Sequence, residues 1–143
     1  MRFLLLAVLL LTGCGQAPPV GQQPSATASP QSHDPAMEAA VAEARQRFPE
    51  FRRRVAAAAP GEQFYVKLPF QTPDKKYTEF MWLRVTSLEG DTGTGVLENE
   101  PVEVKTIKAG ESVQFPASEV EDWGVTDARG KALAGQFTVK AMK

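Results

Sequence analysis

Cysteine and histidine are almost missing from this 143-residue chain, which contains one of each, Cys14 and His33. A single cysteine cannot form an intrachain disulfide, so the folded part must be held together by an apolar core. One cysteine and one histidine also cannot build a Cys/His zinc cluster. His33 lies outside the region that is expected to fold, which argues against a histidine-based catalytic triad. No metal or other cofactor is predicted. The formal net charge of −1 argues against a nucleic-acid partner, which would favour a large basic field.

Long hydrophobic runs are also absent after the N-terminus. The first run, Phe3 to Leu11, is too short to span a hydrocarbon core of about 30 Å. It follows the positive Arg2 and precedes small residues, which is the pattern of a secretory signal peptide. Leu11-Thr12-Gly13-Cys14 resembles the lipobox of bacterial lipoproteins, in which cleavage leaves the cysteine as an acylated first residue. We therefore predict a signal peptide over residues 1–13 and lipidation at Cys14.

The resemblance to lipoproteins implies a location. Two or three acyl chains anchor a protein stably where one chain would be marginal, so we expect an exported protein held by lipid in a membrane of the bacterial envelope. Gly15, rather than Asp, follows the cysteine, which favours the outer membrane if the host has one.

Residues 14–33 are predicted to form a disordered tether behind the lipidated cysteine. Between Gly15 and Ser32 the chain has no charged or aromatic residue and is rich in Pro, Gln, Ser and Ala. Such a segment buries too little apolar surface to offset its ordering entropy. The folded domain is therefore expected at residues 34–143.

The domain is predicted to begin with helices. Asp34-Pro35 is a helix start, with a capping acid before a proline at the first helical position. Apolar residues then recur at three- and four-residue steps up to Val55, and Pro49 should divide this stripe into two helices. Arginines make the region basic, which suggests either an anion-binding patch or, as we prefer, a solvated face balanced by nearby glutamates.

Short strands and turns are predicted for the rest of the chain. Gln63 to Phe70 alternates, with Phe64 on the buried side and Lys67 on the other. Strands are also predicted at 78–88, 92–97 and 112–115, around Val102, Val104 and Ile107, and at the C-terminus through Leu133, Phe137 and Val139. The predicted fold is α+β, with the N-terminal helices packed on a small, strongly twisted antiparallel sheet or an SH3-like partial barrel.

Several ordered motifs carry a resemblance to a known family from about Ala39 to the C-terminus. They are Phe64-x-Val66-Lys67, Glu79-Phe80-Met81-Trp82-Leu83-x-Val85, Gly95-x-Leu97-x-Asn99-x-Pro101, Gly110-Glu111-x-Val113 and Asp122-Trp123. These motifs are similar to the YegJ-like bacterial domain of unknown function (domain-of-unknown-function family 2314). That family more often has histidine where this chain has Phe80, a position that we interpret as structural. The resemblance implies a fold, but no settled activity, substrate or cofactor, so no catalytic residue follows from it.

Two groups of residues are candidates for a site. Glu98 and Glu100 point to the same side of an extended segment, where paired carboxylates could serve a hydrolase, although a solvated acidic corner is the simpler interpretation. If Trp123 were partly exposed, Asn99, Pro101, Asp122 and Trp123 would form a groove for a peptide or glycan.

The sequence favours a non-catalytic binding domain over an enzyme. The partner would be the membrane through the N-terminal lipid, together with an envelope protein or a cell-wall component. The alternatives are a carboxylate-based hydrolase and an inhibitor or immunity-like module acting at the envelope.

Overall fold

In a computed structural model the chain is described at Thr27–Ser29 and over residues 34–143. The predicted signal peptide and Cys14 lie outside the described residues, as does most of the predicted tether. The helices are α1 (Pro35–Gln46), α2 (Phe48–Ala56) and α3 (Phe137–Ala141). The strands are β1 (Thr27–Ser29), β2 (Gln63–Gln71), β3 (Thr78–Glu89), β4 (Thr92–Leu97), β5 (Ser112–Pro116), β6 (Asp122–Thr126) and β7 (Ala132–Gly135).

The strands form one antiparallel sheet in the order β5-β4-β3-β2-β6-β7, and β1 pairs with β3 beside this path. The predicted α+β class, with N-terminal helices on an antiparallel sheet, is confirmed, and the sheet is open. Within the part of the chain that the structure describes, no helix has the length and apolar character needed to cross a bilayer.

The helices begin where the sequence indicates. The Asp34 carboxylate accepts a hydrogen bond from the Ala36 amide at 2.9 Å, which caps α1. Pro49 stands in the first turn of α2, and the break between the two helices falls at Arg47. The proline therefore opens the second helix, as predicted, because its missing N–H costs nothing in a first turn.

One face of the sheet carries the apolar core. Phe51 from α2 is fully buried and packs its ring 5.4 Å from Trp123 of β6 and 6.0 Å from Phe64 of β2. The Trp123 indole N–H donates to the Ala44 carbonyl of α1 at 2.8 Å. Helices α1 and α2 therefore cover this face, and Trp123 ties them to the sheet.

Two sequence-based strand predictions are wrong. The segment around Val102, Val104 and Ile107 is a loop, because its amides bind the buried Glu79 carboxylate instead of a neighbouring strand. At the C-terminus, β7 ends at Gly135 and the chain turns into α3, so the predicted last strand through 133–139 becomes a short strand and a helix.

The N-terminal segment also differs from the prediction at one point. The sequence predicts a disordered tether over residues 14–33, whereas Thr27–Ser29 forms a strand antiparallel to β3, with Thr27 opposite Phe80 and Ser29 opposite Thr78. Strand β4 pairs with β3 only from Leu83 onward, so on that side the first part of β3 has no β4 partner. Strand β1 occupies this edge.

Candidate functional site

The face of the sheet opposite α1 and α2 carries aromatic and cationic side chains. The β2–β3 register places Tyr65 opposite Arg84, Lys67 opposite Trp82 and Pro69 opposite Phe80. Because alternate residues of a strand share a face, these side chains lie together, away from Phe64 and Val66. We call this set the distal face, and it consists of Tyr65, Lys67, Phe80, Trp82 and Arg84.

Lys67 and Trp82 form the centre of the distal face. They are 7% and 3% exposed, whereas Phe80 is half-buried. Trp82 is outside the apolar core that α1 and α2 cover. The Lys67 ammonium lies 5.6 Å from the centre of the Phe80 ring, within the range of a cation–π interaction. The centre of this face is therefore a buried lysine whose ammonium contacts the Phe80 ring and whose cross-strand neighbour is Trp82.

A hydrogen-bond chain connects Lys67 to α3. The Lys67 ammonium donates to the Thr138 hydroxyl at 3.3 Å, and that hydroxyl donates to the Asp122 carboxylate at 2.6 Å. Burial lowers the pKa of Lys67, although the charges of Asp122 and Glu121 act in the opposite direction. The C-terminal helix is thus joined to the centre of the sheet through polar groups.

Asp122 is fully buried and caps α3 from a distant position in the sequence. Its carboxylate accepts from the amides of Phe137 and Thr138, at 3.2 and 2.8 Å, and from its neighbour Trp123 at 2.7 Å. Burial raises the pKa of Asp122, and the hydrogen bonds from Thr138, Trp123 and Phe137 partly oppose that rise. This carboxylate is occupied in holding the helix start, which accounts for its place in the core.

Glu98 and Glu100, the pair of the hydrolase hypothesis, have different surroundings. The Glu98 carboxylate binds the guanidinium of Arg84 at 2.8 Å, and Glu100 is exposed. Burial raises the pKa of Tyr65, and the charge of Glu98 adds to this rise. Glu98 therefore belongs with Arg84 and Tyr65 at one end of the distal face.

The four residues predicted to form a binding groove are divided by the structure. Trp123 is 0% exposed and faces the core, so the partial exposure that the groove required is not present. Asp122 is buried as well, and Pro101 is also buried. Asn99 is half-buried, and its side-chain oxygen accepts a hydrogen bond from the Trp82 amide at 3.1 Å.

Asn99 and Asp122 nevertheless mark the two ends of one row across the sheet. Asp122 pairs with Lys67 in the β2–β6 register, Lys67 pairs with Trp82, and Trp82 binds Asn99. Two of the four residues of the predicted groove thus lie at the ends of this row, and Lys67 and Trp82, which lie between them, were not among the predicted site residues. One indication of Lys67 was present in the sequence, because it is a lysine on the non-core side of a largely apolar strand. Such a lysine is usually solvated, however, so the pattern alone does not indicate a site.

The Glu79 carboxylate organises the loop beside Asn99 and Pro101. It is fully buried and accepts from the amides of Val102, Glu103 and Val104 at 2.8, 3.0 and 3.1 Å. Burial by itself would raise the pKa of Glu79, but these three hydrogen bonds and the charge of Lys105 together outweigh it, and the pKa is lowered. The charge of Glu79 is therefore satisfied by backbone groups.

Four of the five arginines at positions 45–54 form ion pairs with acids of the same chain. The ion pairs are Arg45–Glu121 at 2.6 Å, Arg47–Glu50 at 2.8 Å, Arg52–Asp91 at 3.1 Å and Arg54–Glu50 at 3.6 Å. Two of these guanidinium groups also lie 5.1 Å from phenylalanine rings, those of Phe137 and Phe48. These contacts favour the solvated-face interpretation over an anion-binding patch.

Comparison with known proteins gives one family. A family model described as "Uncharacterized protein conserved in bacteria (DUF2314)" matches residues 34–143. A putative ankyrin repeat protein of Neisseria meningitidis serogroup B (strain ATCC BAA-335 / MC58) is 35% identical over 94 residues, which cover 64% of this chain and 36% of that protein. The chain thus matches about a third of that relative's length. No solved structure matches the chain.

Proposed function

The chain belongs to the DUF2314 family of uncharacterized bacterial proteins, and from that premise we propose that it is a lipid-anchored protein of the bacterial envelope. Its domain binds an envelope protein or a cell-wall component through the distal face and catalyses no reaction. The lipid on Cys14 holds the protein in the outer membrane if the host has one.

The observation that carries the binding proposal is the make-up of the distal face. Half-buried Tyr65, Phe80 and Arg84 surround the buried Trp82 and Lys67. Aromatic residues and arginine are enriched at protein interfaces, and the half-buried Tyr65, Phe80 and Arg84 are the members of this face with area that a partner can cover. Trp82 is a large aromatic side chain outside the helix-covered core, and this supports a role beyond folding.

The acidic groups support binding rather than carboxylate catalysis. Glu79 and Asp122 are bound to backbone amides, and Glu98 is bound to Arg84. A general acid or base needs a carboxyl group that can exchange a proton with a substrate. The match to part of a longer protein further supports a domain that is used in more than one protein context.

Anchoring is tested by replacing the proposed lipid acceptor. We expect Cys14→Ser to leave the membrane pellet, because the mature chain would lack the acyl chains that hold it there. Fractionation of native cells measures the distribution, and mass spectrometry of the wild type should show a mature protein that begins at an acylated Cys14. A Cys14→Ser variant that stays in the pellet like wild type would refute the anchoring proposal.

Binding is tested by crosslinking capture from the native envelope with matched variants. Phe80→Ala removes a half-buried ring from the distal face, whereas Leu133→Ala removes an exposed side chain from β7. The proposal expects partners that wild type and Leu133→Ala capture but Phe80→Ala does not. If both variants capture the same partners as wild type, the distal face is not the binding surface.

A further inference from the structure

The Lys67 ammonium has more hydrogen-bonding capacity than its surroundings use. It carries three N–H donors and is only 7% exposed. Among the residues that the structure describes, its one hydrogen-bond acceptor is the Thr138 hydroxyl at 3.3 Å. A buried charge is costly unless it is paired and hydrogen-bonded, so this cation is left with unused donors at the centre of the distal face.

Neighbouring groups do not supply the missing acceptor. The two oxygens of Asp122 bind three backbone amides and the Thr138 hydroxyl. Glu121 is bound to Arg45 at 2.6 Å. The Phe80 ring centre lies 5.6 Å from the ammonium, and Trp82 is the cross-strand neighbour of Lys67 on the same face.

We propose that Lys67 is the anchor of a carboxylate-binding site, in which a ligand carboxylate accepts the unused ammonium N–H groups while Phe80 and Trp82 contact the adjoining carbon atoms. This inference rests on the proposed binding function and names the chemical class of the ligand. A carboxylate is chosen over a phosphate because one cation matches a single negative charge. A doubly charged phosphate would also meet the charges of Asp122 and Glu121, which act on Lys67.

The test follows the lysine side-chain NMR signals of the full chain, purified in detergent, during titration with small probes. The carboxylate probes are acetate, N-acetylalanine and the α-amide of N-acetylaspartate, and the controls are N-acetylalaninamide and inorganic phosphate. We expect the carboxylates to shift the Lys67 signal saturably and the uncharged amide to leave it unchanged. Comparison of N-acetylalanine with the aspartate derivative distinguishes a terminal from a side-chain carboxylate.

A matched pair of variants gives a second measurement. Lys67→Met removes the charge and leaves an unbranched side chain that is one atom shorter, and Lys108→Met makes the same change at an exposed lysine. Affinity for N-acetylalanine, measured by calorimetry, should fall at least tenfold in Lys67→Met and stay the same in Lys108→Met. The wild-type titration decides the question even if Lys67→Met does not fold.

Three results would overturn the inference. They are a Lys67 signal that no carboxylate moves, a folded Lys67→Met with wild-type affinity, and tighter binding of phosphate than of acetate. If Phe80→Ala still loses envelope partners in any of these cases, the proposed binding function stands and only the carboxylate assignment fails. If carboxylates shift the Lys67 signal saturably but no envelope partner is captured, the carboxylate site stands and the proposed binding of an envelope partner fails.

Discussion

Replacing Glu79 by glutamine should destabilise the domain strongly although it changes only one atom. The carboxylate has two acceptor oxygens, one bound to the Val102 amide and the other to the amides of Glu103 and Val104. Glutamine has one acceptor oxygen and one NH₂ group. In either orientation of the side-chain amide, its NH₂ group faces at least one backbone N–H, so a buried donor loses its acceptor.

The magnitude follows from the number of lost bonds. One buried donor without a partner costs about 1–3 kcal/mol, and the hydrogen bonds that remain lose the strength that the negative charge gave them. We therefore expect Glu79→Gln to lower the free energy of unfolding by about 2–4 kcal/mol. For a domain of this size, the midpoint of thermal unfolding should fall by roughly 10 °C.

Urea and thermal unfolding measure this effect, with Glu103→Gln as the control. Glu103 lies in the same loop and is exposed, so its change to glutamine should shift stability by less than about 0.5 kcal/mol. A Glu79→Gln domain as stable as the control would refute the role assigned to this carboxylate.

The pH dependence provides an independent check of the same role. The pKa of Glu79 is lowered in the folded state, so its charge stabilises the fold above the usual glutamate pKa of about 4.3. This contribution is lost as the pH falls through the lower, folded-state pKa. The stability difference between wild type and Glu79→Gln should therefore shrink in acid, and a difference that is constant with pH would contradict the assignment.

Two further substitutions test the core. Gly135→Ala should lower the free energy of unfolding by at least about 3 kcal/mol, because φ is +74° and a Cβ would lie 2.1 Å from the Trp123 carbonyl oxygen. As a control, Gly110→Ala should lower it by only about 1 kcal/mol, because φ is +86° but the space around the Cβ position is open. Trp123→Phe should cost about 2–4 kcal/mol because the Ala44 carbonyl loses its 2.8 Å hydrogen bond and a cavity forms. Urea unfolding measures both, and equal effects of the two glycine changes, or a neutral Trp123→Phe, would contradict this account.

The sequence predicted best the elements whose causes are local. The start of α1 depends on Asp34 and Pro35, and the β3–β4 hairpin depends on alternating residues around a Gly/Asp turn. The strands β2, β3 and β4 were accordingly predicted to within one residue. In these segments, side chains a few positions apart decide the conformation.

The two wrong strand predictions arose where a carboxylate distant in the sequence determines the backbone conformation. The loop at 102–104 is held by Glu79, which is 23 to 25 positions away, and α3 begins where Asp122 binds amides 15 and 16 positions away. Val102 and Val104 alternate like a strand, and their pattern contains no sign of a buried acid. The centre of the candidate site also depends on a contact that is distant in the sequence, since the Lys67–Thr138 contact spans 71 positions.

The short pairing of Thr27–Ser29 with β3 has a consequence for the height of the domain above the membrane. If Cys14 carries the lipid, as we propose, this pairing leaves only residues 15–26 between the anchor and the fold, a span of at most about 40 Å when fully extended. Without the pairing, residues 15–33 would allow about 65 Å. With a lipid on Cys14, a three-residue strand would therefore set how far from the bilayer surface the protein can meet a partner.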